Sequence, residues 1–228
     1  MAKRKTEATA RAVKTAPPFI SDGLKLVLFF LIALEAAALG IKAWDENKSA
    51  ETALLSSLAS ETRQVATLID GKVAETRAAM TTARTLGGDP ASAAIAIDTI
   101  EEAAALGAAQ REPSSSRLGE AAELAGVLID TDQMSGINAR GDLVIVAALA
   151  QNSTYLAVAP ASRLLPPPVT GQRLIITPAA TRPTTGVQRA GMKRNAAACA
   201  PLGQSSAVVC STTVLPLFTL ADTLRYLS

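Results

Sequence analysis

The pattern of hydrophobic and polar positions divides the chain into an apolar stretch, a helical stripe and a series of short β-rich runs. The apolar stretch covers residues 24–44 and predicts one membrane-spanning helix. Its core, residues 26–41, would rise roughly 24 Å as an α-helix, and Lys25 and Lys42 can extend their ammonium groups to the interfaces of a bilayer core of about 30 Å. For Glu35, inside the stretch, an interfacial position, a protonated carboxyl and pairing with another helix all remain open.

Residues 49–86 have the period of an amphipathic helix. Apolar or small residues recur three or four positions apart, and no proline interrupts the segment. We therefore predict a helical stalk over residues 45–90 that continues the membrane-spanning helix. Two partners for its stripe remain open: the chain's own domain, or the same helix of a second copy in a homodimer. The stripe consists of Leu55, Leu58, Thr62, Val65, Ile69, Val73, Thr76, Met80 and Ala83.

Further helices are predicted between the stalk and the sheet. The sequence Gly-Gly-Asp-Pro at residues 87–90 ends the stalk, and an alanine-rich helix is expected over residues 91–110. Residues 112–117 have the composition of a loop. A shorter helix over residues 118–124 then leads into the Val-Leu-Ile run at residues 127–129, which is predicted as a strand.

Beyond Asn138 the chain consists of short β-rich runs separated by Gly, Pro, Asn and Thr, which predicts an antiparallel sheet. Three consecutive prolines, residues 166–168, predict an extended loop or a sheet edge. Helices first and a strand meander second is an α+β plan, in which helices cover one face of the sheet, and we expect one such domain over residues 91–228. The strands are expected at residues 143–149, 154–159, 172–177, 186–189, 196–201 and 207–214.

Charges on either side of the apolar stretch predict its orientation. Residues 1–23 form a basic head, whereas Asp45 and Glu46 follow the span. By the positive-inside rule the head is cytoplasmic and the rest of the chain is exported. A cleaved signal peptide is the alternative, but the head is long and the apolar core exceeds the usual 7–15 residues or so. We therefore expect a retained single-pass anchor. The basic residues of the head are Lys3, Arg4, Lys5, Arg11 and Lys14.

The composition argues against several classes of function. The chain contains no histidine, which removes the commonest general base and the commonest metal ligand. It also lacks a Walker-type glycine loop, so we predict no enzymatic activity, no cofactor and no metal ion. Asp130 and Asp132 are the best candidates for a carboxylate pair, yet their setting is typical of a solvated turn. The net charge of +2 comes mostly from the head, so nucleic acid is not an expected partner.

The two cysteines form a structural pair in this interpretation. Cys199 and Cys210 flank a turn-like segment, and a two-residue turn at Gln204 and Ser205 would place them opposite each other on neighbouring strands. A disulfide can form there if the pair is of the non-hydrogen-bonded kind, and an exported domain would lie in a compartment that permits it. Two buried, unlinked cysteines are the alternative.

The order of the parts resembles a family of membrane proteins. A basic head, one span, a long exported helix, more helix and a meander that ends in Leu-Pro-Leu-Phe-Thr-Leu-Ala-Asp-Thr-Leu-Arg-Tyr-Leu at residues 215–227 are similar to the PAS-like or Cache-like input region of a bacterial sensor histidine kinase. The resemblance implies a location in the bacterial inner membrane with a periplasmic main domain. It also implies a ligand pocket in the sheet and a last helix, residues 219–228, that descends to the membrane. Without a second span or a kinase, the chain would be a fragment or a free-standing relative.

What the resemblance implies for function is sensing of a small molecule or an envelope protein. Binding would change how the last strand and helix lie against residues 49–86. Ligand contacts are expected at Arg140, Tyr155 and Arg173, on or beside predicted strands. The alternative is a single-pass structural or scaffold protein of the cell envelope that binds a protein partner. A concave site of at least about 300 Å³ would favour the sensor, and an exposed apolar patch would favour the scaffold.

Overall fold

A computed structural model describes residues 18–149, 153–167, 171–190 and 193–215. Residues 1–17 of the head and the expected last helix, residues 219–228, lie outside these ranges. The described helices are α1 (Pro18–Thr85), α2 (Pro90–Ile95), α3 (Leu106–Ala109), α4 (Arg117–Asp130) and α5 (Ala161–Leu164), with a 3₁₀ turn at Ala179–Thr181. The described strands are β1 (Glu102–Ala105), β2 (Ser135–Ile137), β3 (Asp142–Leu149), β4 (Ser153–Pro160), β5 (Gln172–Pro178), β6 (Gly186–Ala190), β7 (Lys193–Pro201) and β8 (Ala207–Leu215).

Helix α1 is continuous and contains the whole apolar stretch. Its most apolar 18-residue window has a mean hydropathy of 2.3, and none of that window is buried. A helix of this length and composition near the N-terminus can act as a membrane span or as a signal sequence. The chain divides into two compact units, Met1–Ala50 and Glu51–Ser228, so the later part of α1 belongs to the second unit.

In the second unit, the amphipathic part of α1 packs against the chain's own domain. Leu58 forms a hydrophobic cluster with Ala196 and Ala198 of β7, while Ile69 and Met80 belong to a central cluster with residues of the strands. Thr62 and Thr76 are also fully buried, and each satisfies its hydroxyl by donating to a backbone carbonyl four residues earlier. Of the two partners that the sequence left open, the stripe uses the domain. A homodimer through α1 would therefore have to use the opposite, exposed face.

The strands form two four-stranded antiparallel sheets, so the prediction of a single sheet is wrong. Sheet 1 has the order β1-β4-β3-β2, and sheet 2 has the order β5-β8-β7-β6. The break falls between β4 and β5, where α5 and two prolines, Pro166 and Pro167, interrupt the meander. Proline cannot donate to a ladder, which explains why pairing does not continue there. The β7–β8 loop meets β2, because the carbonyl oxygen of Ser135 accepts from the backbone nitrogen of Ser206 at 3.2 Å.

Sheet 1 is covered on both faces, which corrects the expectation that helices cover only one. Alternate side chains of a strand point to opposite faces. Val144, Val146, Leu156 and Val158 therefore pack against α4, through Ala121, Ala125 and Leu128. The other set, which includes Leu143, Ile145, Ala157 and Ala159, packs in the central cluster with α1 and with Ile176, Ala200 and Val209 of sheet 2.

Two helical predictions differ from the structure. The alanine-rich residues 91–110 form α2, β1 and α3 instead of one helix, because β1 pairs with β4 in the register Glu102 to Val158. The expected strand at residues 127–129 is instead the last turn of α4, whose buried residues recur at helical spacing. The short strand β2 was not predicted at all.

Candidate functional site

A groove of 440 Å³ lies beside strand β5. Gln172, Arg173 and Leu174 of β5 line one side, and Ser162 of α5 with Leu165, Pro166 and Pro167 lines the other. A cavity on one face of a sheet would be lined by every second residue of a strand, so three consecutive residues place the groove at the strand's edge. β5 is the outer strand of sheet 2, with β8 as its neighbour. The groove therefore follows the outer edge of β5, which has no partner strand among the described residues; this edge is called the free edge below.

The register identifies which backbone groups face the groove. Cys199 and Cys210 lie opposite each other with their Cα atoms 4.1 Å apart, the spacing of a non-hydrogen-bonded pair. The backbone groups of Cys210 must then point away from β7 and toward Ile175, its partner in β5. Because this direction alternates along a strand, the N–H and C=O of Leu174 point away from β8 and toward the free edge.

Arg173 supplies the groove's only charge among its described lining residues. Its side chain is exposed, and within the described ranges the guanidinium has no hydrogen-bond or ion-pair partner. Its carbonyl oxygen accepts from Oγ1 of Thr212 in β8 at 3.4 Å, as the alternation of backbone directions requires. A cation without a partner beside apolar walls suits a ligand that has both an anionic and an apolar part.

The charge of the sheet 2 half reinforces this preference. Residues 143–221 contain six basic and no acidic residues, whereas residues 45–142 contain sixteen acidic and eight basic ones. Arg163 approaches Glu101 to 4.0 Å and Arg194 pairs with Glu51, so two of the six are compensated by acidic residues from the first half. Glu61 and Asp70 of α1 also contact this half, at Gln172 and Gly203, so the positive excess that can attract an anion is small. The six basic residues are Arg163, Arg173, Arg182, Arg189, Lys193 and Arg194.

Gln172 links the groove wall to helix α1. Its amide nitrogen Nε2 donates to Oε2 of Glu61 in α1 at 2.6 Å and to Oγ of Ser211 in β8 at 2.7 Å. Sequence reasoning missed this residue, because nothing in the pattern around Gln172 indicates a contact with a helix so far away in the chain. The bond connects the groove wall directly to α1.

Arg140, one of the three expected ligand contacts, is occupied by α4 and the segment before it. Its Nε lies 2.9 Å from Oε2 of Glu120, and its Nη2 donates to the carbonyl oxygen of Ser115. The turn that carries it is fixed by Asn138, whose Oδ1 accepts from the backbone nitrogen of Asp142 at 2.9 Å. These contacts give Arg140 a structural role.

Tyr155, the second expected contact, lies at the other end of the β3–β4 hairpin. It pairs with Ala147 and packs, half-buried, against the central cluster. Asp142 and Ala147 are five positions apart in β3, which separates the two ends of the hairpin by about 17 Å. The structure therefore does not gather the three expected residues in one site, and of the three only Arg173 lines the groove.

A cluster of charges at the start of α4 joins Arg117 to three carboxylates, those of Glu101, Glu102 and Asp142. Arg117 Nη1 lies 2.6 Å from Oε1 of Glu101, and its Nε lies 3.1 Å from Oδ2 of Asp142, a buried carboxylate. The hydrogen bond to Glu101 raises the pKa of Arg117, with the charge of Asp142 adding to it. The cluster fixes α4 to β1 and β3, and its excess of carboxylates gives it no preference for an anionic ligand.

The structure also gives the positions of the two cysteines and of the expected carboxylate pair. A disulfide joins Cys199 in β7 to Cys210 in β8. Four residues, 203–206, replace the expected two-residue turn, since Leu202 N donates to the Ala207 oxygen at 3.2 Å.

Asp130 ends α4, and Asp132 lies in the following turn with φ 53°. Among the described residues no group of three or more Asp, Glu or Cys side chains is arranged to hold a metal ion.

Comparisons with protein-family models, with curated proteins and with solved structures find no match to this chain. Its function is therefore inferred from the groove, the charges around it and the contact between Gln172 and α1.

Proposed function

We propose that this chain is a membrane-anchored sensing module of the bacterial inner membrane, with a cytoplasmic head, one span at residues 24–44 and a periplasmic α+β domain that binds its ligand in the groove beside β5. In this proposal the chain is the input part of a signal-transducing histidine kinase and has no catalytic activity of its own. The observation that carries the proposal is that Gln172 lines the groove and also binds Glu61 of α1.

Sensing requires that the ligand bind two arrangements of the domain unequally. A ligand between β5 and the Leu165–Pro167 wall displaces β5, and the Gln172 amide transmits this displacement to Glu61. A difference in binding free energy of about 1–3 kcal/mol between the two arrangements is sufficient for a signal. Glu61 belongs to the same continuous helix as the apolar stretch, which makes α1 the element whose position reports ligand binding.

The groove favours this function over a scaffold. Its volume exceeds the roughly 300 Å³ expected of a ligand site. By contrast, the large apolar side chains exposed on the second unit come from separate elements, for example Leu68 of α1, Val127 of α4 and Val214 of β8. Single exposed apolar residues are normal on a soluble surface and do not by themselves mark a protein-binding patch.

A covalent ligand mimic tests the coupling between the groove and α1. Arg173→Cys carries a bulky maleimide adduct in the groove, and Arg182→Cys with the same adduct is the control on an exposed residue outside it. Labelling without reductant preserves the native disulfide. In the full chain in lipid nanodiscs, hydrogen exchange of the α1 amides around Glu61 should change with the groove adduct only. Equal exchange in the two labelled proteins would overturn the proposal.

A further inference from the structure

We propose that the groove takes an extended, acidic peptide segment of a partner protein, which adds to the free edge of β5 as a fifth strand of sheet 2. This inference rests on the proposed function and names the class of ligand. Strand addition binds a peptide through its backbone, while alternate side chains provide specificity. Each of these requirements has a counterpart at β5.

The backbone of β5 is available for pairing. The N–H and C=O of Leu174 point to the free edge, and among the described residues no backbone bond from outside the β5–β8 ladder reaches residues 172–176. The opposite wall presents Pro166 and Pro167, which have no N–H to donate. The carbonyl oxygens of these prolines are acceptors, but among the described residues no backbone bond joins this wall to β5, so the edge is a template for another strand.

The side chains at the groove match an alternating peptide. Leu165, the two prolines and Leu174 offer apolar contacts for every second residue of a guest strand. Arg173, on the opposite face of β5 from Leu174, offers a charge to the residues in between. Because residues 143–221 contain no acidic side chain, a guest that carries Asp or Glu at these positions meets only attraction from this segment.

The other sheet edges suit such a peptide less well. β1, at the edge of sheet 1, begins with Glu102 and follows Glu101, so it repels an acidic guest. β2, at the opposite edge, is already in contact with the β7–β8 loop, because Ser135 accepts from Ser205 Oγ at 2.9 Å as well as from Ser206. The combination of an open edge, apolar walls and an unpaired cation occurs at β5.

The test uses a random nonapeptide library displayed on phage, selected on the full chain in nanodiscs at low salt. Enriched peptides should carry Asp or Glu at every second position, with apolar residues between them. Arg173→Glu should weaken the best peptide about tenfold or more, whereas Arg182→Glu, the same charge change outside the groove, should change its Kd less than about twofold. Enrichment without acidic residues would overturn the inference.

Two further comparisons separate strand addition from other modes of binding. Leu174→Pro removes the outward N–H at a position where an edge strand tolerates proline, and Leu174→Ala is the matched control that keeps this N–H. The proline variant should bind the peptide about tenfold more weakly than the alanine variant does. A second comparison changes the peptide and leaves the protein intact. Two forms of the peptide are made, one N-methylated at its odd-numbered amides and one at its even-numbered amides. One of the two forms should lose binding, and the other should keep it. Equal binding of the two methylated forms would contradict strand addition.

A small-molecule ligand would give a different result. If the library yields no binder while hexanoate or succinate raises the melting temperature of the native chain and not of Arg173→Glu, the peptide inference fails and the sensing proposal stands. If the library and these anions both fail and the groove adduct leaves the exchange of α1 unchanged, the inference and the proposed function fall together.

Discussion

Gln172 and Glu61 are 111 positions apart in the chain, yet the amide of one donates to the carboxylate of the other at 2.6 Å. The first residue lines the groove at the edge of sheet 2, and the second lies on the long helix that carries the apolar stretch. This bond joins the candidate ligand site directly to α1.

Removing the amide should loosen this connection. Gln172→Ala leaves Glu61 and Ser211 without their bond to Nε2, and we expect a loss of about 1–2 kcal/mol in the free energy of unfolding, measured by urea titration. Gln188→Ala is the control, since Gln188 is exposed and, among the described residues, its side chain donates to the nearby carbonyl oxygen of Thr184 alone. A Gln172→Ala protein as stable as the control would show that the bond contributes nothing.

Arg117 should contribute more to the free energy of unfolding than a residue of a surface ion pair does. Arg117→Met leaves the buried carboxylate of Asp142 without its cation, and we expect a loss of about 2–4 kcal/mol. Adding Asp142→Asn to this variant should restore part of the loss, because the buried charge is then gone. A double-mutant cycle by urea titration measures this coupling, and strictly additive losses would contradict the role assigned to the pair.

Two glycines of α4 should respond in opposite directions to alanine. A Cβ on Gly119 would lie 2.1 Å from the carbonyl oxygen of Pro113, whereas nothing lies within 4 Å of a Cβ on Gly126. Gly119→Ala should therefore lower the free energy of unfolding by about 1–3 kcal/mol or more through steric conflict. Gly126→Ala should raise it by about 0.5–1 kcal/mol through helix propensity. Similar effects at both positions, in thermal melts of the two variants, would contradict the described packing.

The disulfide should stabilise the oxidised protein. Closing the short loop between Cys199 and Cys210 is worth about 2–3 kcal/mol by the chain-entropy estimate. Reductant should therefore lower the melting temperature of the native chain but leave that of Cys199→Ser unchanged. Equal melting of the native chain with and without reductant would remove the stabilising role.

The strands of the β-rich half were predictable because β-rich runs and the turn residues between them are local information. β3, β4, β5 and β8 all contain their predicted segments. Where the composition is nearly all alanine, as in β1, no period distinguishes helix from strand. The pairing of β1 with β4 then decides its conformation, and this pairing is not visible in the local sequence.

The division into two sheets and the groove could not be predicted from the sequence, for a related reason. The prolines at positions 166–168 predicted an extended loop or a sheet edge, but not that the strands after them would form a separate sheet, packed against the other side of the central cluster. Arg173 was selected as a polar residue on a predicted strand. Gln172 was not, because its importance comes from Glu61, a residue of a different element.

Membrane topology is the most direct test of the central claim, that the apolar stretch anchors an exported domain. Arg182→Cys and Thr6→Cys are made in the full chain, and intact cells are treated with a membrane-impermeant maleimide, to which the native disulfide is inert. We expect labelling of Arg182→Cys in intact cells and of Thr6→Cys only after permeabilisation. Protection of Arg182→Cys in intact cells, or a mature form released from the membrane with a new N-terminus near Ala38, would contradict it.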